Sequence, residues 1–279
     1  MLGNMDLSVI VQRTLEKGPL IHAITNSITI NDCANIILAG GGRPTMAESP
    51  EEVEEITACA DALVLNLGNP SSSKVKAMLL AGKEANHKGI PVVFDPVGVG
   101  ASRFRMEAAT ELLQQVQMSI IRGNTSELRC LAQGRRSTNG VDAEKGDVVT
   151  DQNLSEWVNL LRELSVRLRA VTVASGERDV ITDGSRVCVL QNGHPMMGKI
   201  TGSGCMLSAL MGAYCGANSQ DPFAVAVAAC GVVGICGERA YRRIQGQGGG
   251  TGSFRVAFVD AVSQIREGNW EEELNFAYN

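Results

Sequence analysis

Residues 199–217 read Lys-Ile-Thr-Gly-Ser-Gly-Cys-Met-Leu-Ser-Ala-Leu-Met-Gly-Ala-Tyr-Cys-Gly-Ala, a glycine-spaced turn that leads into an apolar helix of small residues. Such a turn points successive backbone N–H groups at one spot, and the positive end of the helix dipole lies at the same spot. The pattern predicts a binding site for an anion, most often a phosphate, at Gly202, Ser203, Gly204 and Cys205.

Cys205 is expected at the mouth of this anion site. A helix N-terminus lowers the pKa of a thiol, so the position favours a reactive cysteine. The same residues also fit a tight turn before a buried helix, with Cys205 packed as a small apolar side chain, since short glycine motifs are common. The residues in the rest of the chain are needed to distinguish an anion site from a structural turn.

Composition bounds the possible classes of protein. With 279 residues, of which 44% are hydrophobic, the chain can bury a large core. A net charge of −5 gives no reason to expect binding to nucleic acid or to an anionic membrane. The N-terminus lacks the pattern of a signal peptide, and no apolar run approaches the roughly 20 residues of a membrane span. Eight cysteines without a Cys-x-x-Cys pair indicate reduced thiols, so we predict a soluble cytoplasmic protein.

Extended runs alternate with helical patterns along most of the chain. The predicted strands are Pro19–Asn26, Arg43–Met46, Ala62–Gly68, Pro91–Gly98, Met118–Asn124 and Ala170–Gly176. The predicted helices are Thr29–Ala39, Pro50–Ala60, Ser72–Lys88, Met106–Gln117, Thr125–Gln133 and Asn153–Leu168. This alternation predicts one α/β domain over residues 1–279, with a mostly parallel central sheet and helices on both faces.

Two further signals lie in the last third of the chain. Asp183-Gly184 is typical of a hairpin turn, so an antiparallel edge is expected between Asp179–Thr182 and Arg186–Leu190. Asp221-Pro222 is a helix cap followed by proline at the first helical position, and it opens a long apolar helix that should be buried. Gly246–Gly252 is interpreted as a connecting loop.

Polar side chains collect where the predicted strands end, which is where α/β sheets bind ligands. They occur in His22–Asn26, Asn66–Gly68, Asp95–Gly98 and Arg122–Glu127. Taken singly, Asp95 can be a turn former, and Asn124 with Glu127 can be a capping box. Their joint occurrence at successive strand ends favours a site. Of the histidines, His22 is a candidate for ligand contact, His87 is expected on a solvated helix face, and His194 has no clear assignment.

The chemistry of this set suits magnesium and phosphate better than zinc, because carboxylates are present without metal-ligand spacing of His or Cys. The chain has no Gly-x-x-x-x-Gly-Lys-Ser/Thr motif, which excludes a P-loop enzyme. It has no Gly-x-Gly-x-x-Gly after the first strand, which argues against a nicotinamide dehydrogenase.

These residues resemble the hydroxyethylthiazole kinase family of thiamine biosynthesis, a branch of the ribokinase-like kinases, over nearly the whole chain. The matching motifs are His22–Asn26 with Asn31, Ala34 and Asn35, then Pro44–Met46, Asp95–Ala101, Arg122–Glu127, Asp179–Gly184, Asn192–His194 and Thr201–Cys205. In most ribokinase-like enzymes an aspartate stands where this chain has Cys205. The resemblance implies a ribokinase-like three-layer sandwich without a separate lid.

The resemblance also implies an activity and its residues. The family phosphorylates the hydroxyl of 4-methyl-5-(2-hydroxyethyl)thiazole from MgATP, and it is typically a homotrimer with the thiazole site at subunit contacts. By similarity, the anion hole is Gly202 to Cys205, and Cys205 is the catalytic residue beside the substrate hydroxyl. The remaining assignments are Met46 and Gly202 for the thiazole, Arg122 and Ser175 for ATP, and Asp95 and Glu127 for Mg²⁺.

Two residues depart from the family pattern, and other functions stay open. Ser175 and Asn69 each stand where the family usually has threonine; Ser175 keeps the hydroxyl, whereas Asn69 does not. A pyridoxal or hydroxymethylpyrimidine kinase, a nucleotide-dependent hydrate dehydratase and a non-catalytic nucleotide sensor remain as alternatives. Whether Cys205 takes a proton or only positions the hydroxyl is left open by the sequence.

Overall fold

The predicted alternation of strands and helices is present in the structure, a computed structural model that describes residues 6–134, 148–266 and 269–278. The α-helices are α1 Ser8–Lys17, α2 Ile30–Ala39, α3 Val53–Ala58, α4 Ser72–Lys88, α5 Arg103–Gln115, α6 Thr125–Gln133, α7 Leu154–Leu168, α8 Ser203–Ala217, α9 Pro222–Gln245 and α10 Thr251–Ser263. The strands are β1 Leu20–Ile24, β2 Arg43–Thr45, β3 Ala62–Asn66, β4 Val92–Asp95, β5 Ile120–Asn124, β6 Val171–Ser175, β7 Asp179–Thr182, β8 Val187–Leu190 and β9 Phe276–Tyr278.

The strands form one sheet in the order β2-β1-β3-β4-β5-β6-β7-β8-β9. The pairings from β2 to β6 are parallel, and those from β6 to β9 are antiparallel. The sheet is therefore mostly parallel with an antiparallel edge, as predicted. Both hairpin strands, β7 and β8, are confirmed, and they are joined by residues 183–186, where the carboxylate of Asp183 accepts the backbone N–H groups of Ser185 and Arg186.

Each face of the sheet is covered by its own hydrophobic core. Buried residues of α1, α2, α8, α9 and α10 pack with one set of strand side chains, including Val64 and Val93. Buried residues of α4, α5, α6 and α7 pack with the alternate set, including Leu65 and Phe94. Because successive strand side chains point to opposite faces, this division produces a three-layer α/β sandwich.

Several helices begin at a side chain that satisfies a free backbone N–H. Ser71, Ser102, Asn124 and Asp221 each accept a hydrogen bond from the N–H three residues further on. The cap at Asp221 confirms the predicted start of α9. In the described part of the chain α9 is long and apolar enough to cross a membrane, but 89% of its most apolar window is buried in the fold, as expected of a core helix.

Three elements were not predicted from the sequence. The first is α1, the second is α10, and the third is β9, which pairs with β8. The predicted loop Gly246–Gly252 is correct only to residue 250, since α10 begins at Thr251. Strand β9 extends the antiparallel edge of the sheet, whereas α1 packs against α8 and α10 packs against α9 and α2.

Candidate active site

The N-terminus of α8 forms the centre of the site. Gly202 precedes the helix with φ of +82°, and no side chain caps the helix start. The first N–H groups of a helix have no intrahelical acceptor, so those of Ser203, Gly204 and Cys205 are available to an anion. A Cβ at Gly202 would lie 2.5 Å from Cγ2 of Thr29, so both the left-handed backbone and the close approach require glycine here.

Arg122 lies directly beside this helix start. A Cβ at Gly204 would lie 2.5 Å from Arg122 Nη1, so only a glycine lets the guanidinium approach the helix backbone so closely. Arg122 Nη2 donates a hydrogen bond to Ser175 Oγ, and Nη1 lies 3.5 Å from Asp95 Oδ2. The structure thus brings together the two residues predicted for ATP and one predicted for Mg²⁺.

Asp95 is completely buried at the end of β4. Its Oδ2 accepts hydrogen bonds from Asn66 Nδ2 at 2.9 Å and from Ser208 Oγ at 2.7 Å. Its Oδ1 has no hydrogen-bond partner among the described residues. Burial raises the pKa of this carboxyl, opposed by the nearby Arg122. A buried carboxylate oxygen without a partner is what a cation would be expected to engage.

Glu127 lies one turn into α6 and is also buried. Its Oε1 accepts the N–H of Gly98, and its Oε2 accepts the N–H of Asn124, each at 2.7 Å. Asn124 Oδ1 in turn accepts the N–H of Glu127, so the predicted capping box is present. Burial, together with the charge of Asp95, raises the pKa of Glu127 to about 7. The capping box and the proposed role are compatible, because the carboxylate faces Asp95 and Arg122.

Cys205 is partly buried and is held as a hydrogen-bond acceptor. Asn26 Nδ2 donates to Cys205 Sγ at 3.4 Å, while Asn26 Oδ1 accepts the N–H groups of Ile28 and Thr29. The prediction that the helix N-terminus lowers the pKa of this thiol is wrong. Burial, followed by the charge of Asp95, raises the pKa of Cys205, because the thiol is removed from water next to a carboxylate.

Met46 directly follows the edge strand β2 and is partly buried against the core. His22, which the sequence made a candidate for ligand contact, has no exposed surface. Its ring nitrogens lie 2.8 Å from Thr57 Oγ1 and 2.9 Å from the carbonyl oxygen of Ala47. His22 therefore contacts protein groups on both sides.

The sequence also singled out His87, His194 and Asn69. His87 is exposed on α4, as predicted. His194 stacks on Tyr241, with ring centroids 3.6 Å apart. Asn69 is exposed and has φ of +45°, a left-handed conformation that a β-branched threonine would adopt at a cost.

Sequence reasoning gave no site role to two side chains that interact with Asp95 or Arg122, namely Ser208 and Asp179. Ser208 lies four residues after Gly204, one turn along α8, and this spacing was the signal that could have found it. Asp179 begins β7, and burial raises its pKa to about 6. Asn26 and Asn66 were noted at strand ends, but their bond to each other, 3.1 Å from Asn26 Nδ2 to Asn66 Oδ1, was not foreseen.

The arrangement has the chemical features of a phosphoryl-transfer site. Free backbone N–H groups, a guanidinium and two buried carboxylates converge on the start of α8. Among the described residues no cluster of three or more His, Cys, Asp or Glu side chains is present that would hold a metal by itself. The two buried carboxylates, Asp95 and Glu127, fit Mg²⁺, which keeps several waters and is usually bound by one or two carboxylates together with phosphates.

Comparisons with known proteins agree with this chemistry. The profile of the hydroxyethylthiazole kinase family matches residues 11–268. The chain is 42% identical to a hydroxyethylthiazole kinase of Ruminiclostridium cellulolyticum over 264 residues, covering 95% of this chain and 94% of the relative. It is 46% identical to a hydroxyethylthiazole kinase of Clostridium acetobutylicum over 248 residues, covering 89% and 90%.

Solved structures give the same picture. A hydroxyethylthiazole kinase protein from Pyrococcus horikoshii OT3 superposes with a TM-score of 0.82 at 32% identity, covering 93% of each chain. A pyridoxal kinase from Staphylococcus aureus, solved in complex with ADP, superposes with a TM-score of 0.58 at 13% identity, covering 79% of this chain and 88% of the other. The second likeness concerns the fold alone, and it agrees with the ribokinase-like architecture.

Proposed function

The chain belongs to the hydroxyethylthiazole kinase family, and on that premise we propose that it transfers a phosphoryl group from ATP to the hydroxyl of 4-methyl-5-(2-hydroxyethyl)thiazole in thiamine biosynthesis or salvage. The observation that carries this proposal is the convergence of Arg122, Asp95, Glu127 and Cys205 on the uncapped start of α8. Phosphoryl transfer depends on positioning and on stabilising charge, and this is what such a convergence supplies.

Gly202, Ser203, Gly204 and Cys205 would form the anion hole for the transferred phosphoryl group. Backbone N–H groups at a helix start are fixed before the reaction, so no reorganisation is needed as charge develops. Arg122, with Ser175 as its hydrogen-bond partner, would bind the phosphates of ATP from the side of β5 and β6. The guanidinium also balances the negative charge of the two carboxylates.

Asp95 and Glu127 would hold Mg²⁺ at the phosphates. Asp95 fits this role because its Oδ1 lacks a protein partner, while Oδ2 is held in place by Asn66 and Ser208. Glu127 is fixed by backbone N–H groups on both oxygens, and its negative charge would help to hold the ion there. Bound Mg²⁺ neutralises phosphate charge and orients ATP.

Cys205 would contact the substrate hydroxyl, and its thiolate form would accept the hydroxyl proton and become the thiol. Hydrogen bonding from Asn26 favours the thiolate, whereas burial and Asp95 oppose it, so the free enzyme holds a neutral thiol at pH 7. Met46 and Gly202 would line the thiazole pocket. The assignment of Met46 is supported by its position directly after the end of β2, at the carboxyl edge of the sheet.

We further propose one kinase domain over residues 1–279, without a separate lid, that assembles as a homotrimer in the cytoplasm. Both hydrophobic cores pack on a single sheet, and all eight cysteines are free thiols, which suits a reducing compartment. Ile28, Leu38 and Val256 are 63%, 56% and 63% exposed near the ion-paired α2 and α10. Such apolar side chains suit a subunit contact, and Ile28 adjoins the site through Thr29.

A coupled assay of ADP release tests the proposed function. The purified chain is given MgATP with the thiazole alcohol, pyridoxal or hydroxymethylpyrimidine in parallel. We expect kcat/KM to be highest for the thiazole alcohol. Turnover of pyridoxal or the pyrimidine in preference to it, or ATP binding without turnover of any alcohol, would contradict the proposal.

A further inference from the structure

His22 holds backbone that lies beyond its own strand. It lies on β1 opposite Thr45, the last residue of β2 in the sheet ladder. Its Nε2 lies 2.9 Å from the carbonyl oxygen of Ala47, two residues past that ladder. A carbonyl oxygen can only accept, so Nε2 carries the proton and donates it. Nδ1 lies 2.8 Å from Thr57 Oγ1 on α3, which fixes the ring from its other side.

The segment 46–48 depends on such contacts, because it follows the last ladder pair of a three-residue edge strand. Glu48 is tied as well: its carboxylate lies 2.9 Å from Lys74 Nζ. Lys74 is buried on α4 and donates a second hydrogen bond, 3.0 Å long, to the carbonyl oxygen of Thr25. Met46 therefore lies between Thr45, the last paired residue of β2, and residues 47 and 48. The buried side chains of His22 and Lys74 contact those two residues.

We propose that His22 and Lys74 are positioning residues for the alcohol substrate, which they do not touch. They hold the segment 46–48 so that Met46 stands in place to contact the thiazole ring before the substrate arrives. A segment that is already ordered loses less conformational entropy on binding. The contacts of His22 and Lys74 therefore affect the affinity for the alcohol rather than the rate of the chemical step. The inference rests on the proposed function, in which Met46 lines the thiazole pocket.

Two substitutions of His22 separate positioning from simple packing. His22→Gln places an amide nitrogen near the Nε2 position and can still donate to Ala47. His22→Asn is too short to reach Ala47 but keeps a polar group near Thr57. We expect His22→Asn to raise KM for the thiazole alcohol about tenfold, with kcat and KM for ATP changed by less than about twofold. His22→Gln should stay within about threefold of the wild type in all three constants.

Glu48→Gln tests the second contact, the ion pair between Glu48 and Lys74. The Glu48 side chain is half-exposed, so its replacement leaves the core untouched. Glu54→Gln on α3 is the matched control. We expect Glu48→Gln to weaken thiazole binding a few-fold and Glu54→Gln to leave it unchanged. Titration calorimetry with the thiazole alcohol in the absence of ATP measures the same effect without turnover. It should report a weaker Kd for His22→Asn and for Glu48→Gln.

The positioning role is overturned if His22→Asn lowers only the unfolding temperature, or if His22→Gln is as impaired as His22→Asn. Should His22→Asn not fold, Glu48→Gln decides, and an unchanged Kd for the alcohol overturns the proposal. Met46→Ala with unchanged KM for the thiazole alcohol would remove the proposed role of Met46 itself. Failure of the wild type to phosphorylate the thiazole alcohol contradicts the proposed function, and calorimetry then shows whether the alcohol binds at all.

Discussion

Asn26 donates a hydrogen bond to the sulfur of Cys205 across 3.4 Å, and its amide cannot be reversed without loss. The amide oxygen is occupied by the N–H groups of Ile28 and Thr29, at 3.1 Å each. Asn26 also donates to Asn66, whose own amide donates to Asp95. The two asparagines therefore connect the thiol to the buried carboxylate with fixed amide orientations, and both the sulfur and the carboxylate accept hydrogen bonds.

A pH profile follows from the state of Cys205. Because its pKa is raised above the ordinary 9.0, the thiolate fraction is small at pH 7 and increases as the pH rises. If the thiolate takes the proton, kcat of the wild type should rise with pH above neutrality. Cys205→Asp should stay active and lose that rise, because a carboxylate is already ionised. Cys205→Ala should lose about 10²–10⁴-fold in kcat. If kcat of Cys205→Ala stays within a few-fold of the wild type, Cys205 only packs against the substrate and takes no proton.

Glu127→Gln removes a charge while keeping the size of the side chain. Because this carboxylate faces the proposed magnesium, we expect kcat at saturating MgATP to fall by about 10²–10³-fold. One of the two backbone N–H groups of Gly98 and Asn124 loses a good acceptor, which should cost about 1–3 kcal/mol of stability but leave the fold intact by circular dichroism. Glu107→Gln, at an exposed carboxylate of α5, serves as the control. Wild-type turnover of Glu127→Gln would refute the role.

Gly204→Ala tests how closely Arg122 must approach the helix start. The added methyl group would lie 2.5 Å from Nη1, so the guanidinium must move away from the phosphate site. We expect kcat/KM for ATP to fall by about 10–100-fold, or about 1.4–2.7 kcal/mol of transition-state stabilisation. Gly198→Ala is the matched control, since a Cβ there meets nothing within 4 Å. Equal kinetics for the two variants would mean that Arg122 has no part in binding ATP.

Assembly can be tested on the apolar face around α2. Leu38→Lys puts a charge on a side chain that is 56% exposed in the single chain, and it should convert the proposed trimer to monomers and lower thiazole turnover. Val166→Lys makes the same change at a valine that is 66% exposed on α7, and it should affect neither. Light scattering with detection of mass measures the assembly. An active wild-type monomer would rule out the trimer.

The regular part of the fold was predictable because its signals are local. Alternating patterns gave six parallel strands and their helices, and Asp183-Gly184 gave the hairpin. The C-terminal strand β9 was missed because it has three residues and exists only through its pairing with β8. The residues around the start of α8 were found from strand ends and a glycine turn, since parallel strands bring their carboxyl ends to one edge.

What the sequence could not supply depends on three-dimensional surroundings. The pKa of Cys205 was predicted in the wrong direction because a helix terminus is visible in the sequence, whereas the burial of the thiol beside Asp95 is not. His22 was considered for ligand contact because it lies near a strand end, but its side chain contacts Ala47 and Thr57. The spacing of Ser208 from Gly204 could have placed both residues on one side of α8, but the contact of Ser208 with Asp95 joins residues 113 positions apart and is visible only in the fold.

The central claim is that the phosphoryl group of ATP reaches the primary hydroxyl of the thiazole alcohol at the start of α8. Phosphorus-31 NMR of a reaction containing the wild-type chain, MgATP and the thiazole alcohol tests this most directly. The account predicts one equivalent of ADP and a new phosphate monoester whose signal is coupled to the adjoining CH₂ group, with both signals strongly reduced for Glu127→Gln. Release of inorganic phosphate or AMP in place of the monoester, or no consumption of ATP, would contradict it.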